Sequence, residues 1–316
     1  MKVMQVGLGP IGQMISKILI TKSGVNIVSA VDINPSLQGQ TLGELLHLPN
    51  LDTAITNHFD LADLNGDVDV AVVTTSSDAN VVAEQIEPLV RRGISVITTC
   101  EELSHAWNTQ PALANRLDKL AKKHHCAILG TGINPGFLMD FLPSTLTALT
   151  DRVDSISVNR IQNARARRLP FQQKIGYGLK IDEFQTLADQ GSLRHVGLVE
   201  SVYYIAEKLN WKLSNVTESI KPIHDDTTAL GIKQIAQGTA DDQVKITLCF
   251  VAAVDIDKPE DTIIISGSPD IELSFKTPIQ GDRATTNVTV NAIPCLLNAS
   301  PGLKSMSDLT SINAWQ

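Results

Sequence analysis

A chain of 316 residues is long enough for two domains, or one large domain with an insertion, and for a substantial core without staples. Its net charge of -8, with no basic run beyond Arg165-Ala-Arg167-Arg168, argues against a nucleic-acid surface. Cys100, Cys126, Cys249 and Cys295 are scattered, with no C-x-x-C pair and no metal-ligand spacing. They read as reduced thiols of a cytoplasmic protein, and no metal is expected. No apolar run reaches membrane-spanning length, so no membrane partner is expected either. The N-terminus superficially resembles a signal peptide, but its glycines and the lack of a small-residue cleavage site fit a nucleotide fold better.

The first predicted elements carry the strongest signal. The apolar run Met1 to Val6 reads as a strand, and Gln13 to Ile20 has helical apolar spacing. Between them lies Gly7-Leu8-Gly9-Pro10-Ile11-Gly12. A second apolar run, Asn26 to Val31, ends on Asp32, twenty residues after Gly12. A dinucleotide site needs each of these pieces. Gly7 permits a tight turn, Gly9 lets backbone approach a pyrophosphate, and Gly12 lets the helix pack close to the strand. The helix N-terminus offers N–H groups and partial positive charge to phosphate. Asp32 can accept hydrogen bonds from the adenosine ribose and would repel a 2′-phosphate, which favours NAD over NADP.

Further along, Asn34-Pro35 marks a turn and Thr41-Leu-Gly-Glu44 forms a capping-box pattern before a short helix. The β-branched run Val68 to Thr74 reads as a strand buried on both faces. It ends in Thr74-Thr75-Ser76-Ser77, with Asp78 as N-cap of a helix from Ala79 to Arg92 that Gly93 stops. Ile94 to Thr98 is the next strand and ends in Thr99-Cys100-Glu101-Glu102. A helix is predicted from Pro111 to His124. The strand Cys126 to Leu129 follows and runs into Gly130-Thr-Gly-Ile-Asn134-Pro135-Gly136. Strands alternating with helices predict an α/β doubly wound parallel sheet whose strand C-termini share one edge.

After about Thr150 the pattern changes. Val153 to Ile161 alternates as a half-exposed strand, with helices predicted near 181–190 and 198–209. The strand-like runs 216–222, 231–237, 244–254, 262–266 and 271–277 follow with short connections. They predict a second α+β domain of largely antiparallel sheet. The segment from Arg283 to Leu297 is locally mixed: Thr285 to Val290 is β-like, and Pro294 would kink a helix. The expected divisions are 1–136, 137–281 and 282–316.

The chemistry is expected at the shared sheet edge, where nicotinamide would sit. Glu101 and Glu102 fall there, and either carboxylate could hold a substrate ammonium or shuttle a proton while hydride moves at the adjacent carbon. Glu101, the first residue past the strand, is favoured. Thr74, Thr75, Ser76, Thr99 and Cys100 are candidate cofactor contacts. The rigid loop at Asn134, Pro135 and Gly136 is expected to line the cofactor or substrate. Arg165, Arg167 and Arg168 could meet a carboxylate or phosphate, though a solvated basic loop competes with that reading; Arg168 is retained as a substrate-binding candidate. The histidines show no metal spacing.

Several of these motifs together resemble the 2,4-diaminopentanoate dehydrogenase family, which includes native amine dehydrogenases and is related to dihydrodipicolinate reductase. The resemblance runs nearly the whole length. It is carried by Gly7 to Gly12, Gly39-Gln-Thr-Leu-Gly-Glu44, Thr98-Thr-Cys-Glu-Glu-Leu103 and Gly130 to Gly136. Arg167-Arg-Leu-Pro-Phe-Gln-Gln-Lys174, Gly281-Asp282, Asn291-Ala-Ile-Pro294 and Pro301-Gly-Leu303 add to it. It implies a Rossmann domain, an α+β domain that builds a homodimer, and a C-terminal helix returning to the first domain, against the mixed local reading. It also implies NAD(P)-dependent, reversible oxidative deamination of an amine or diamino acid, with the glutamate after the Thr-Thr-Cys strand end as acid–base. Gln280 stands where the family commonly has histidine. The His-His and Ser-Gly-Thr signatures of dihydrodipicolinate reductase are absent. A cyclic-imine reductase and a non-catalytic NAD(P) sensor are the competing functions.

Overall fold

The computed structural model describes residues 1–49, 51–58, 68–167 and 169–316. It divides into two compact units, one of residues 1–137 with 281–316 and one of 138–280. The chain opens with β1 (Lys2–Val6), α1 (Pro10–Leu19), β2 (Asn26–Val31), α2 (Leu42–Leu46), β3 (Ile55–Thr56) and β4 (Val70–Val73). It continues through α3 (Ala79–Val90), β5 (Ser95–Thr98), α4 (Ala106–Thr109), α5 (Pro111–Lys123) and β6 (Ala127–Gly130). The second unit holds α6 (Phe141–Leu146), β7 (Arg152–Asn163), α7 (Leu169–Lys174), α8 (Ile181–Asp189), α9 (Leu198–Lys208) and β8 (Asn215–His224). Its remaining strands are β9 (Ala229–Ala240), β10 (Gln243–Ala253), β11 (Glu260–Ser268) and β12 (Ile271–Ser274). The chain then returns to the first unit as α10 (Gly281–Leu297) and β13 (Gly302–Lys304).

The first unit is built on a seven-stranded sheet in the order β13-β6-β5-β4-β1-β2-β3, with every neighbouring pair parallel. This is the doubly wound parallel sheet that the alternating pattern predicts. Val70 to Val73 and Ser95 to Thr98 are buried at every position, as a sheet covered on both faces requires. Local signals set the helix starts. Asp78 accepts from the Asn80 and Val81 N–H groups at the head of α3, and Thr41 and Glu44 close the capping box of α2. On α3, Val82, Ala83, Ile86, Leu89 and Val90 form the buried stripe that holds the helix to the sheet.

The C-terminal segment corrects its mixed local reading. Residues 281–297 form a continuous helix despite Thr285 to Val290 and Pro294. Thr286, Thr289, Val290, Ile293 and Leu296 recur at helical spacing and are all buried, and α10 packs against α1. Burial of this stripe outweighs the few tenths of a kcal/mol per residue of unfavourable β-branched propensity. The Thr286 hydroxyl is satisfied within the helix, donating to the Asp282 carbonyl at 2.8 Å. The edge strands β3 and β13 have no counterpart in the sequence reading. At two and three residues they are too short to show a period.

The second unit carries a six-stranded sheet in the order β12-β11-β7-β10-β9-β8. All pairs are antiparallel except β7 with β10. Its strands alternate between buried and half-exposed residues, and α8 and α9 pack against β8, β9 and β10. A buried ion pair, Arg160 to Asp261 at 3.2 Å, crosses from β7 to β11. The Ile279 backbone completes it: its carbonyl accepts from Arg160 and its N–H donates to Asp261. Burial pulls the Arg160 pKa down to about 10, opposed by the adjacent carboxylate.

Candidate functional site

The parallel register brings the strand ends level. Val6 pairs with Val73, Val73 with Thr98, and Thr98 with Gly130. The residues that follow, Gly7, Thr74, Thr99 and Thr131, therefore form a row across β1, β4, β5 and β6. Three strand spacings make that row about 14 Å long. Ligands of open α/β sheets bind beyond such an edge.

At one end of the row the three glycines do three different things. Gly7 has φ +86°, and its N–H donates to the Val31 carbonyl at 2.8 Å. A Cβ on Gly12 would lie 2.0 Å from the Gly7 carbonyl oxygen, so only glycine lets α1 start this close to the turn. A Cβ on Gly9 would meet nothing within 4 Å. Gly9 is the N-cap of α1 and has no side chain to cap it, with Pro10 in the first turn. The helix start is thus backed by packed backbone and open in front, which fits the pyrophosphate of a dinucleotide.

Asp32 fastens the second strand end to this turn. One carboxylate oxygen accepts from the Leu8 N–H at 2.6 Å, and the other accepts from the Asn34 N–H at 2.8 Å. A carboxylate has about four acceptor positions, so capacity remains for ribose hydroxyls. Leu8 is buried, while Pro10 is exposed and Ile11 half-buried. Gln5, which the sequence reading passed over, braces the same turn. Its side chain is fully buried and donates to the Gly7 carbonyl at 2.9 Å and to Thr74 Oγ1 at 3.2 Å. Thr74 donates to the same carbonyl at 2.9 Å. The signal for Gln5 was a lone polar residue inside an apolar strand.

The other predicted residues are placed as follows. The Thr75 hydroxyl donates to Gln85 on α3, and Ser76 Oγ accepts from the Asp78 N–H. The Thr99 N–H donates to the Val73 carbonyl. Cys100 is buried, its thiol donates to the Ser77 carbonyl at 3.1 Å, and burial holds its pKa far above the ordinary thiol value. Cys100 is thus a neutral packing group. Glu101, Glu102 and Leu103 form a single turn of 3-10 helix, with both glutamates half-buried. Their environments differ. Glu102 accepts from the Ala79 N–H at 3.0 Å, at the head of α3, and from Gln110 at 2.9 Å. Through this one oxygen, Oε2, the carboxylate caps the head of α3. Glu101 contributes its backbone carbonyl to the Ser104 N–H and hydroxyl.

The loop after β6 is pinned from the returning C-terminal segment. The Ile133 N–H donates to Thr285 Oγ1 at 3.3 Å, and the Thr131 hydroxyl meets the Met306 sulfur at 3.0 Å. Asn134 precedes a cis peptide bond to Pro135, and Gly136 has φ +116°. Asn134 is 8% exposed, and neither end of its carboxamide has a hydrogen-bond partner among the described residues.

The basic loop lies in the second unit. Arg165 pairs with Asp255. Arg167 stacks on the Phe171 ring at 4.0 Å. Arg168 lies outside the described residues. His195 packs on Phe250 with ring centroids 4.2 Å apart; burial, with Lys174 and Arg160 adding to it, lowers its pKa to about 3. Among the described residues no group of three or more His, Cys, Asp and Glu could hold a metal ion, and no helix is long and apolar enough to cross a membrane.

Comparison with known proteins agrees with this architecture. Residues 1–128 match the family model of the dihydrodipicolinate reductase N-terminus. The 2,4-diaminopentanoate dehydrogenase of Acetoanaerobium sticklandii is 30% identical over 328 aligned positions, covering 98% of this chain and 93% of its own. An amine dehydrogenase from Mycobacterium smegmatis superposes with TM-score 0.86 at 21% identity, over 99% of this chain and 96% of its own. GenD2 from gentamicin A biosynthesis, solved with NAD, superposes with TM-score 0.60 at 15% identity, over 98% and 89%. These two likenesses speak to the fold. Residues 137–316 match the 2,4-diaminopentanoate dehydrogenase C-terminal domain, and with the full-length relative this shows that the chain belongs to the 2,4-diaminopentanoate dehydrogenase family.

Proposed function

We propose that this chain is an NAD(P)-dependent amine dehydrogenase with Glu101 as its acid–base. The reaction consumes an amine, NAD(P)⁺ and water, and yields a ketone or aldehyde, NAD(P)H and ammonium; it runs in both directions. The observation that carries the assignment of Glu101 is its place: it is the first residue beyond Cys100 at the strand-end row, while Glu102 caps the head of α3 by accepting from the Ala79 N–H.

The Gly7 to Gly12 turn, with the head of α1, would hold the pyrophosphate, and Asp32 the adenosine ribose. Asp32 favours NAD, because its carboxylate would repel a 2′-phosphate. When bound, the cofactor supplies a hydride acceptor for the carbon that bears the amine. The protein's own part is proton transfer and orientation. In the deaminating direction Glu101 takes a proton from the substrate ammonium, freeing the nitrogen lone pair that forms the iminium as hydride leaves carbon. After that proton passes to solvent, Glu101 takes a proton from the water that adds to the iminium carbon and returns it to nitrogen, which departs with the carbinol hydroxyl's proton as ammonium and leaves the carbonyl. The cap of Glu102 on α3 keeps the turn carrying Glu101 in register with the sheet edge. Asn134, Pro135 and Gly136 line the reactive end. A homodimer built through the second unit and a cytoplasmic setting complete this reading, supported by the family and by the free thiols.

The test is NADH and NADPH oxidation with 2-amino-4-oxopentanoate and simple ketones, with and without ammonium. Ammonium-dependent oxidation is expected, and Glu101→Gln should lower kcat about 10²- to 10⁴-fold with dinucleotide affinity retained. Oxidation of a cyclic imine without ammonium would instead identify an imine reductase. Dinucleotide binding without turnover would identify a sensor.

A further inference from the structure

Asn134 presents an anomaly that the proton chemistry leaves unexplained. More than nine-tenths of the residue is buried, yet neither its Oδ1 nor its Nδ2 has a hydrogen-bond partner among the described residues. Buried polar groups are almost always paired, and burying both ends of an amide unpaired is costly. The loop around it has little freedom to relax that cost. Thr285 holds the Ile133 N–H, Met306 sits under Thr131, and Gly136 is in the left-handed region, where a Cβ would lie 2.6 Å from the Gly132 nitrogen. A side chain held unsatisfied by a braced loop is a preorganised contact for a ligand.

The loop's location selects the ligand. It leaves β6 at Gly130, where a Cβ would lie 2.4 Å from the Leu103 carbonyl carbon. The strand end is therefore in backbone contact with the turn that carries Glu101. Asn134 offers one donor group and one acceptor in a plane. A partner that satisfies both at once must present an acceptor beside a donor. Two parts of a dinucleotide do so, the adenine edge and the nicotinamide carboxamide. Adenine belongs with Asp32 at the end of β2, beyond the glycine turn and four strand spacings, about 19 Å, away along the sheet edge. We infer that Asn134 pairs its carboxamide with the carboxamide of nicotinamide, and so sets the orientation of the ring beside Glu101. Thr285 and Met306 act on this pair as positioning residues, supplied by the returning C-terminal segment.

The inference rests on the dinucleotide reading, and the experiment separates the two. Binding is measured by titration calorimetry for NADH, for ADP-ribose, which lacks nicotinamide, and for reduced 3-acetylpyridine adenine dinucleotide, whose acetyl group keeps the acceptor and loses the donor. Wild type should bind the acetylpyridine analogue several-fold more weakly than NADH. Asn134→Ala should weaken NADH about tenfold, leave ADP-ribose within twofold, and abolish discrimination between NADH and the analogue. The retained ADP-ribose binding reports that the variant is folded. Equal affinity of wild type for NADH and the analogue would overturn the amide pairing without any variant. So would an Asn134→Ala protein that loses ADP-ribose and NADH affinity in the same ratio. Binding of none of the three ligands by wild type would overturn the dinucleotide reading itself, and the pairing with it.

Discussion

The glycine turn separates two effects that a simple motif match merges: room for the protein's own backbone and room for the ligand. Gly12→Ala tests the first. Its Cβ would lie 2.0 Å from the Gly7 carbonyl oxygen, about 1.4 Å short of an ordinary contact, and 2.7 Å from Thr74 Oγ1. The Gly7 carbonyl cannot simply rotate away, because Gln5 and Thr74 both donate to it. Helix α1 must retreat, which strains its packing against the buried strands and costs about 1–3 kcal/mol or more. The same shift opens the phosphate site, so dinucleotide affinity falls as well. Gly9→Ala tests the second effect. Its φ of -64° suits any residue and its Cβ would meet nothing within 4 Å, so stability should stay within about 1 kcal/mol of wild type. The methyl group would stand where the pyrophosphate approaches, and affinity should fall tenfold or more, about 1.4 kcal/mol. Thermal denaturation of the apoproteins and NADH titration read the two quantities separately. Equal loss of Tm in the two variants would refute the reasoning, as would Gly12→Ala with wild-type stability.

Three further outcomes are expected. Glu102→Ala should cost about 0.5–2 kcal/mol through the lost cap on α3, seen as a lower Tm, and should reduce kcat far less than Glu101→Gln. Replacing Asp32 by serine should raise the ratio of NADPH to NADH affinity, because the carboxylate that opposes a 2′-phosphate is gone; an unchanged ratio would place cofactor selection elsewhere. His195 is held neutral in the fold, with its pKa lowered to about 3, whereas the unfolded chain protonates near 6.5. Between those values the unfolded state binds more protons, so stability falls as pH drops below about 6.5, by at most about 1.4 kcal/mol per pH unit. His195→Phe should flatten that part of the denaturation profile.

Much of the first unit was legible from residues close together in sequence. Gly7, Gly9, Gly12 and Asp32 declare a turn, an approach and an anchor, because each acts through its own backbone freedom or through a short chain segment. The Thr41 and Glu44 capping box and the Asp78 N-cap were readable for the same reason. What lay beyond local signals depends on partners far away in the chain. Gln5 reads as an intruder in an apolar strand until Gly7 and Thr74 are seen to need its donor. Glu101 and Glu102 are indistinguishable as neighbours until Ala79 and Gln110, brought up by α3 and the segment before α5, donate to Glu102 and make it a cap of α3. The β-branched run at 285–290 argues against a helix until burial against α1 outweighs propensity. The parallel pairing of β7 with β10 and the edge position of β13 likewise belong to the assembled sheets. Sequence alone determined the alternating fold and the tight glycine turn before α1, since periodicity and glycine conformational freedom are local properties. Tertiary structure alone decided which glutamate caps α3 and which buried carboxamide lacks a partner, since hydrogen-bond satisfaction is decided by groups that only folding brings together.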